Sequence, residues 1–283
     1  MSVYLRPQTI MDAAHILASP GGTVLSGGTD FFPALGDRPV TGTVIDISGI
    51  REMKGIRTTP DEIRIGGLTT WSEVVASPLP GGFEALKSAA REIGGIQIQN
   101  RGTIAGNLCN ASPAADGVPP LLALDAEVEL VSKAGARRLP LSRFLVGNRK
   151  TLRRADEILA TVIVPRTLDD AASAFLKLGA RRYLVISVAM VAAVVQVDGG
   201  GRVSQARVAL GSCSVTAQRL NALERALVGA PARTGLGALA TMQHLSQISP
   251  ITDVRATLGY RTGAALTLVS RALEACVRGV TRL

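Results

Sequence analysis

Residues 99–116, QNRGTIAGNLCNASPAAD, hold three Asn, two Gly, a Thr, a Ser and an Asp, with almost no bulky apolar side chain. Such a stretch offers backbone N–H groups, small side chains and amide donors, which a close-fitting site for an anionic ligand requires. The same composition also suits an ordered Asn/Gly-rich surface loop. A second stretch, Ser26-Gly27-Gly28-Thr29-Asp30, follows a short apolar run at 23–26 and leads into a helical start at 31–35. Glycines there let the backbone approach a phosphate with no Cβ in the way. Free N–H groups at a helix start point at an anion. The loop lacks the Lys of a Walker motif and the spacing of a Rossmann turn. It is competent for phosphate without naming a nucleotide, and a plain tight turn would read the same way.

No catalytic set accompanies these loops. There is no Gly-x-Ser-x-Gly elbow, no HExxH and no His beside a plausible nucleophile. Asp116, the acid of the long stretch, also suits a local cap to the following turn. Ligand loops without acid–base machinery imply that a cofactor carries the reaction. Three Cys with no CxxC pair make neither a disulfide framework nor an iron–sulfur site. Cys109, Cys213 and Cys276 read as packed thiols, and His15 and His244 lie in helical patterns, so no metal site is expected.

The elements that must position the loops follow from period and capping. An amphipathic helix is expected over 7–19, with Thr9 as cap and Ile10, Ala13, Ala14 and Leu17 facing inward. Strands are expected at 44–47 and 63–66. Thr70 and Glu73 form a capping box that opens a helix to about 77. A helix over 83–93 closes at Gly94-Gly95. A helical turn at 119–124 and strands at 127–132 and 157–164 complete the first half. The polar segment 165–170, with its proline, marks a boundary. Beyond it, strands are expected at 174–178, 185–197 and 206–210, the last two joined by a turn at Asp198 to Gly201. Helical patterns at 216–227, 236–248 and 252–277 then suggest three helices on one face of a three-stranded sheet, an α+β arrangement.

The 283 residues are 47% hydrophobic, enough for one large or two moderate domains. The longest apolar run, 185–195, is about half of the ~20 residues that span a membrane. With no signal-peptide pattern, a cytoplasmic location is the default. The net charge of +9 comes mostly from Arg, since only five residues are Lys. The basic residues fall in scattered pairs, and aromatics are 3% of the chain, too few for a base-stacking platform. A nucleic-acid partner is therefore not expected. Attraction to a dianionic dinucleotide or to acidic partner subunits fits the charge, as does a plain compositional bias toward Arg.

Arg101-Gly102-Thr103-Ile104-Ala105-Gly106-Asn107-Leu108, followed by Asn110-Ala111-Ser112-Pro113-Ala114-Ala115-Asp116, resembles the second flavin-binding segment of the FAD-binding medium subunits of molybdenum hydroxylases, such as xanthine and carbon monoxide dehydrogenases. Ser26-Gly27-Gly28-Thr29-Asp30 resembles the first segment. The likeness continues through 123–128, 157–159 and 175–179 to 249–256. It implies a p-cresol methylhydroxylase-type two-subdomain FAD-binding fold over 1–168 (subdomains about 1–57 and 58–168). A C-terminal α+β domain of the CO dehydrogenase flavoprotein type, a three-stranded antiparallel sheet with a three-helix bundle, would cover 169–283. The implied cofactor is non-covalent FAD, with its pyrophosphate on the backbone of Ser26, Gly27, Gly28, Thr29 and Asp30 and with Leu25 also in the cofactor site. Thr103 and Asn107 would bond phosphate or ribityl oxygens. Gly102, Ile104 and Gly106 would complete the second loop, with the glycines allowing close approach. Asp116 would accept from a flavin-side hydroxyl, and Lys177 and Tyr183 would border the isoalloxazine ring.

The resemblance also implies an electron-relay subunit of a heterotrimer that can be doubled. Molybdopterin would reside on a large subunit and [2Fe-2S] clusters on a small one. Electrons would pass through FAD to NAD or another acceptor, and the complex's substrate would be a purine or other N-heterocycle. Two alternatives stand beside it: a self-sufficient flavin oxidase or reductase of the same fold group, and a non-enzymatic nucleotide-binding scaffold.

Overall fold

The computed structural model describes residues 2–19 and 21–280. The first sheet is parallel, with strands β1 (Ser2–Leu5), β2 (Gly22–Leu25) and β3 (Gly42–Asp46) in the order β1-β3-β2. Helix α1 (Ile10–Leu17) makes the first crossover. The Thr9 hydroxyl caps it by accepting from the Asp12 amide at 3.1 Å, and Ala13, Ala14 and Leu17 are buried. Helix α2 (Phe31–Leu35) follows β2 directly.

The second sheet is antiparallel, in the order β4-β5-β10-β6-β7. It contains β4 (Ile56–Thr58), β5 (Glu62–Gly66), β6 (Glu127–Ser132), β7 (Gly135–Pro140) and β10 (Ile158–Pro165), with the short pair β8 (Leu145–Gly147) and β9 (Lys150–Thr151) beside it. Between β5 and β6 run α3 (Trp71–Ala76), α4 (Glu84–Glu92), α5 (Ile96–Gln99), α6 (Ile104–Asn110) and α7 (Val118–Ala123); α8 (Leu141–Phe144) follows β7. The Thr70–Glu73 capping box that opens α3 is complete.

The third sheet is antiparallel: β11 (Ala172–Leu178), β12 (Ala189–Val197), β13 (Val203–Gly211) and the two-residue β14 (Gln218–Arg219). Helices α9 (Asn221–Leu227) and α10 (Leu258–Val280) complete the chain. Strand β12 is buried from Ala189 to Val195 because both faces of the sheet are covered. Alternate residues Ala189, Val191, Ala193 and Val195 pack with Val269, Ala272, Leu273 and Cys276 of α10. Met190, Ala192 and Val194 enter the core that holds Ala85, Leu86 and Ala89 of α4 and Leu121 and Leu122 of α7. The period of two sends one set of side chains each way.

Several expectations change here. Residues 99–110 are no plain loop, because the Thr103 hydroxyl caps α6 by accepting from the Gly106 amide at 3.1 Å. The third sheet gains a fourth strand, and the expected three-helix bundle is two α-helices with two 3-10 turns, Leu236–Leu239 and Met242–Leu245. Gly237 explains the first turn: a Cβ there would lie 2.3 Å from the Ser270 carbonyl oxygen of α10, too close for a regular helix with side chains on that face. The expected 252–277 helix starts late because Asp253 accepts from the Arg255 and Ala256 amides, and the Leu258 amide donates to Thr252. The 216–227 pattern loses its first turns to β14, whose Arg219 reaches Asp125 at 2.5 Å and Glu224 at 2.5 Å. Helices therefore lie on both faces of the sheet, not one. Residues 281–283 of the expected C-terminal unit lie outside the described residues.

Candidate functional site

The two glycine-bearing loops meet. A Cβ on Gly27 would lie 2.0 Å from the Arg101 carbonyl oxygen, so any side chain larger than hydrogen would separate them. Gly28 adopts φ +75°, a conformation other residues reach only with strain. The Ser26 and Thr103 hydroxyls are 3.1 Å apart in hydrogen-bond contact, and the Asn110 amide donates to Asp30 at 3.0 Å. The second loop is stitched from behind to 67–71. Trp71 N–H donates to Gly102, Ile104 N–H to Thr69, and Ala105 N–H to Gly67, at 3.2, 3.0 and 3.1 Å. These backbone bonds to the segment after β5 fix where the loop's own free groups point.

Between the loops lies a cavity of about 440 Å³. Leu25, Ser26, Gly27, Gly28, Thr29, Asp30, Gly102, Thr103, Gly106 and Asn107 all line it. Two observations fit a bound oxygen-rich group. The Asn107 Oδ1 is buried without a hydrogen-bond partner, a costly arrangement unless a ligand supplies a donor. Moreover, a Cβ at Gly106 would lie 2.9 Å from Thr103 Oγ1 and 3.2 Å from Ser26 Oγ, both of which belong to lining residues.

The remaining expected site residues sit outside the lining. Ile104 is buried in the core, with its amide spent on Thr69. Asp116 forms a buried ion pair with Lys177 at 2.6 Å and accepts from Ser187 Oγ at 2.5 Å. Burial pushes the Asp116 carboxyl up, and the Lys177 ammonium and Ser187 hydroxyl pull against it. Lys177 also donates to the carbonyl of Glu92 at 3.3 Å, the residue before Ile93, which does line the cavity. Tyr183 is exposed, with the Arg182 guanidinium 5.2 Å from its ring centroid.

The structure adds lining residues that sequence reasoning passed over. Ile47, Leu68 and Ile158 line it from the small core under α1. Trp71 and Ile93 line it from the main core, and Ile98 also lines it. Arg153, Glu157 and Cys109 complete the wall. Burial would raise the Glu157 carboxyl, but the Arg137 fork at 2.6 Å and the Arg154 amide outweigh it and hold it below its ordinary range. Burial pushes the Cys109 thiol up to about 11, against the Arg153 charge. The single Trp beside a capping box was a visible signal for the main-core side. Arg153 was hidden among several equivalent Arg pairs.

Two family models match successive parts of the chain. Residues 1–167 match the family model "FAD binding domain in molybdopterin dehydrogenase", and residues 173–276 match "CO dehydrogenase flavoprotein C-terminal domain". The chain is 36% identical to the nicotinate dehydrogenase FAD-subunit of Eubacterium barkeri over 81% of its own length and 80% of that protein. It is 31% identical to the xanthine dehydrogenase FAD-binding subunit of Escherichia coli O157:H7, over 97% and 95%. A solved carbon monoxide dehydrogenase from Hydrogenophaga pseudoflava superposes with a TM-score of 0.88 at 29% identity, covering 97% of this chain and 96% of that one. Among the described residues no helix is long and apolar enough to cross a membrane. The interlocked glycine loops, the cavity between them and these matches along the chain have one reading: the protein belongs to the FAD-binding medium subunits of the molybdenum hydroxylases.

Proposed function

We propose that this chain is the electron relay of a heteromeric molybdenum hydroxylase. Its FAD would accept electrons from [2Fe-2S] clusters on a small subunit, after substrate oxidation on a molybdopterin-bearing large subunit, and pass them to NAD or another acceptor. Bound FAD supplies reversible one- and two-electron chemistry. The chain's own residues hold it. The amides of 26–30 and the hydroxyls of Ser26 and Thr103 would take the pyrophosphate, and Asn107 would accept from a ribityl hydroxyl. The observation that carries this reading is the closure of the two loops on each other around a cavity with an orphaned amide oxygen. The Asp116–Lys177 pair supports the wall at Ile93, so that end would take the isoalloxazine ring, with Tyr183 at its rim. The substrate class is a purine or other N-heterocycle, in keeping with the xanthine and nicotinate in the relatives' names. The flavin would be non-covalent: His15 lies on α1, bonded through Nδ1 to the Met11 carbonyl at 2.7 Å, and neither His lines the cavity.

The test is purification of the chain with whatever co-purifies. Flavin absorbance together with iron and molybdenum, and bleaching of the flavin on adding an N-heterocyclic substrate, is the expected result. Acid precipitation should leave FAD in the supernatant. A stable, colourless protein that carries no partner would contradict the proposal.

A further inference from the structure

Arg153 is the one Lys, Arg or His side chain in the cavity lining, and it has no carboxylate partner among the described residues. Its Nη1 donates to the Glu157 carbonyl at 2.7 Å and to the Arg154 carbonyl at 3.1 Å. The acid nearest in sequence, Glu157, spends both carboxylate oxygens on Arg137. Thus Nη1 is pinned by two backbone oxygens, while Nε and Nη2 make no hydrogen bond within the described residues. A guanidinium held on one edge and free on the other is pre-organised for a phosphate oxygen or for the face of a base.

Its position names the part of the ligand. The apolar lining residues are drawn from two separate cores, which we take as the cavity's two ends. Trp71 and Ile93 at one end pack with the main core, next to the Asp116–Lys177 pair. A Cβ on Gly95, two residues beyond Ile93, would sit 3.4 Å from Leu184, which puts Leu184 near this side. Ile47, Leu68 and Ile158 at the other end belong to the separate core under α1. Arg153 stands at this second end, bonded to the residue before Ile158. With the flavin ring at the Trp71 end and the pyrophosphate between the loops, the adenosine half falls at the Ile158 end.

We infer that Arg153 is the residue by which this chain grips the adenosine diphosphate half of its cofactor, and so selects a dinucleotide over a flavin mononucleotide. The inference rests on the flavin-relay reading for the direction in which the cofactor lies. Position makes the site selective: a cation at the adenosine end meets the adenosine-side phosphate and base of a dinucleotide, whereas FMN keeps its one phosphate on the flavin side and places nothing there. Glu157, already neutralised by Arg137, does not oppose that attraction.

The test uses the full chain stripped of flavin, titrated calorimetrically with FAD, FMN and ADP. Arg153→Ala should weaken FAD and ADP alike by about tenfold or more, equivalent to 1.4 kcal/mol. FMN affinity should stay within about twofold of the unsubstituted chain, which also reports that the variant is folded. Should Arg153→Ala not fold, Arg153→Met, which keeps the aliphatic stem, is read in the same way. Arg154→Ala, beside it and exposed, should change none of the three. FAD affinity in the Arg153 variants within about twofold of the parent, or an equal loss for FMN, overturns the inference. Failure of the unsubstituted chain to bind FAD at all would instead overturn the flavin-relay reading.

Discussion

At the scale of single residues, the site is a matter of what is missing. Gly27 has no Cβ, and that absence lets the first loop lie against the Arg101 carbonyl. Gly27→Ala must push a backbone oxygen, which cannot rotate aside as a side chain would, so overpacking should cost about 1–3 kcal/mol of stability. The same displacement separates Ser26 from Thr103, and FAD affinity should fall about tenfold or more, measured by fluorescence quenching on titration. An alanine variant with unchanged melting and FAD affinity would show that the loops are not held by this contact. The glycines were legible in the sequence because only a few functions need paired small residues at such spacing. Arg153 was not, since one arginine among many has no sequence mark. Its meaning comes from the lack of a carboxylate partner among the described residues.

At the scale of elements, the buried Asp116–Lys177 pair ties β11 of the third sheet to the turn after α6 and to the end of α4. Removing one partner of such a pair leaves an uncompensated buried charge, so Lys177→Met should cost about 3–5 kcal/mol in urea denaturation. Adding Asp116→Asn should recover most of that loss, because the amide can still accept from Ser187. The pH dependence has a definite sign. Burial holds the folded carboxyl of Asp116 above its unfolded value, and loss of Lys177 raises it further. The folded state then binds more protons than the unfolded state, so stability falls as pH rises through that window. The Lys177→Met deficit should therefore shrink as the pH is lowered from 7 toward the ordinary carboxylate range near about 4. A deficit that is flat with pH would contradict the charged pair. Elements governed by local chemistry were readable: Thr9 and Thr70 cap where their side chains can reach an amide, and β6 alternates as written. The misread elements are those where distant contacts decide. Gly237 against Ser270, Arg219 pulled to Asp125, and Asp253 clasping its own following amides and Arg261 at 2.6 Å all override a helical period. Strand β7, with Arg137 and Arg138 facing Glu157 and Glu62, escaped because its sequence, GARRLP, shows no apolar alternation.

At the scale of the whole molecule, the C-terminal sheet is a shared wall. One face of β12 belongs to α10 and the other to α4 and α7, so the region matching the flavoprotein C-terminal domain completes the core of the FAD-binding region. A shared core couples unfolding. The single Trp, Trp71, lies in the FAD-binding region, whereas α10 supplies much of the helical signal of the other. Fluorescence and far-ultraviolet circular dichroism should report coincident denaturant transitions for the full chain. Two separated transitions would show independent domains. The α+β class and the strand–glycine–helix order were visible in the chain, but the two-faced burial of the third sheet was not. A near-continuous apolar strand says only that both faces are covered, never by what. The account as a whole depends on a diphosphate lying between the two loops. The crystal structure of the FAD-loaded full chain tests this most directly. It should place the pyrophosphate within hydrogen-bond distance of the 26–30 amides and the Thr103 hydroxyl. FAD bound elsewhere on the chain, or a pyrophosphate facing solvent away from both loops, would contradict it.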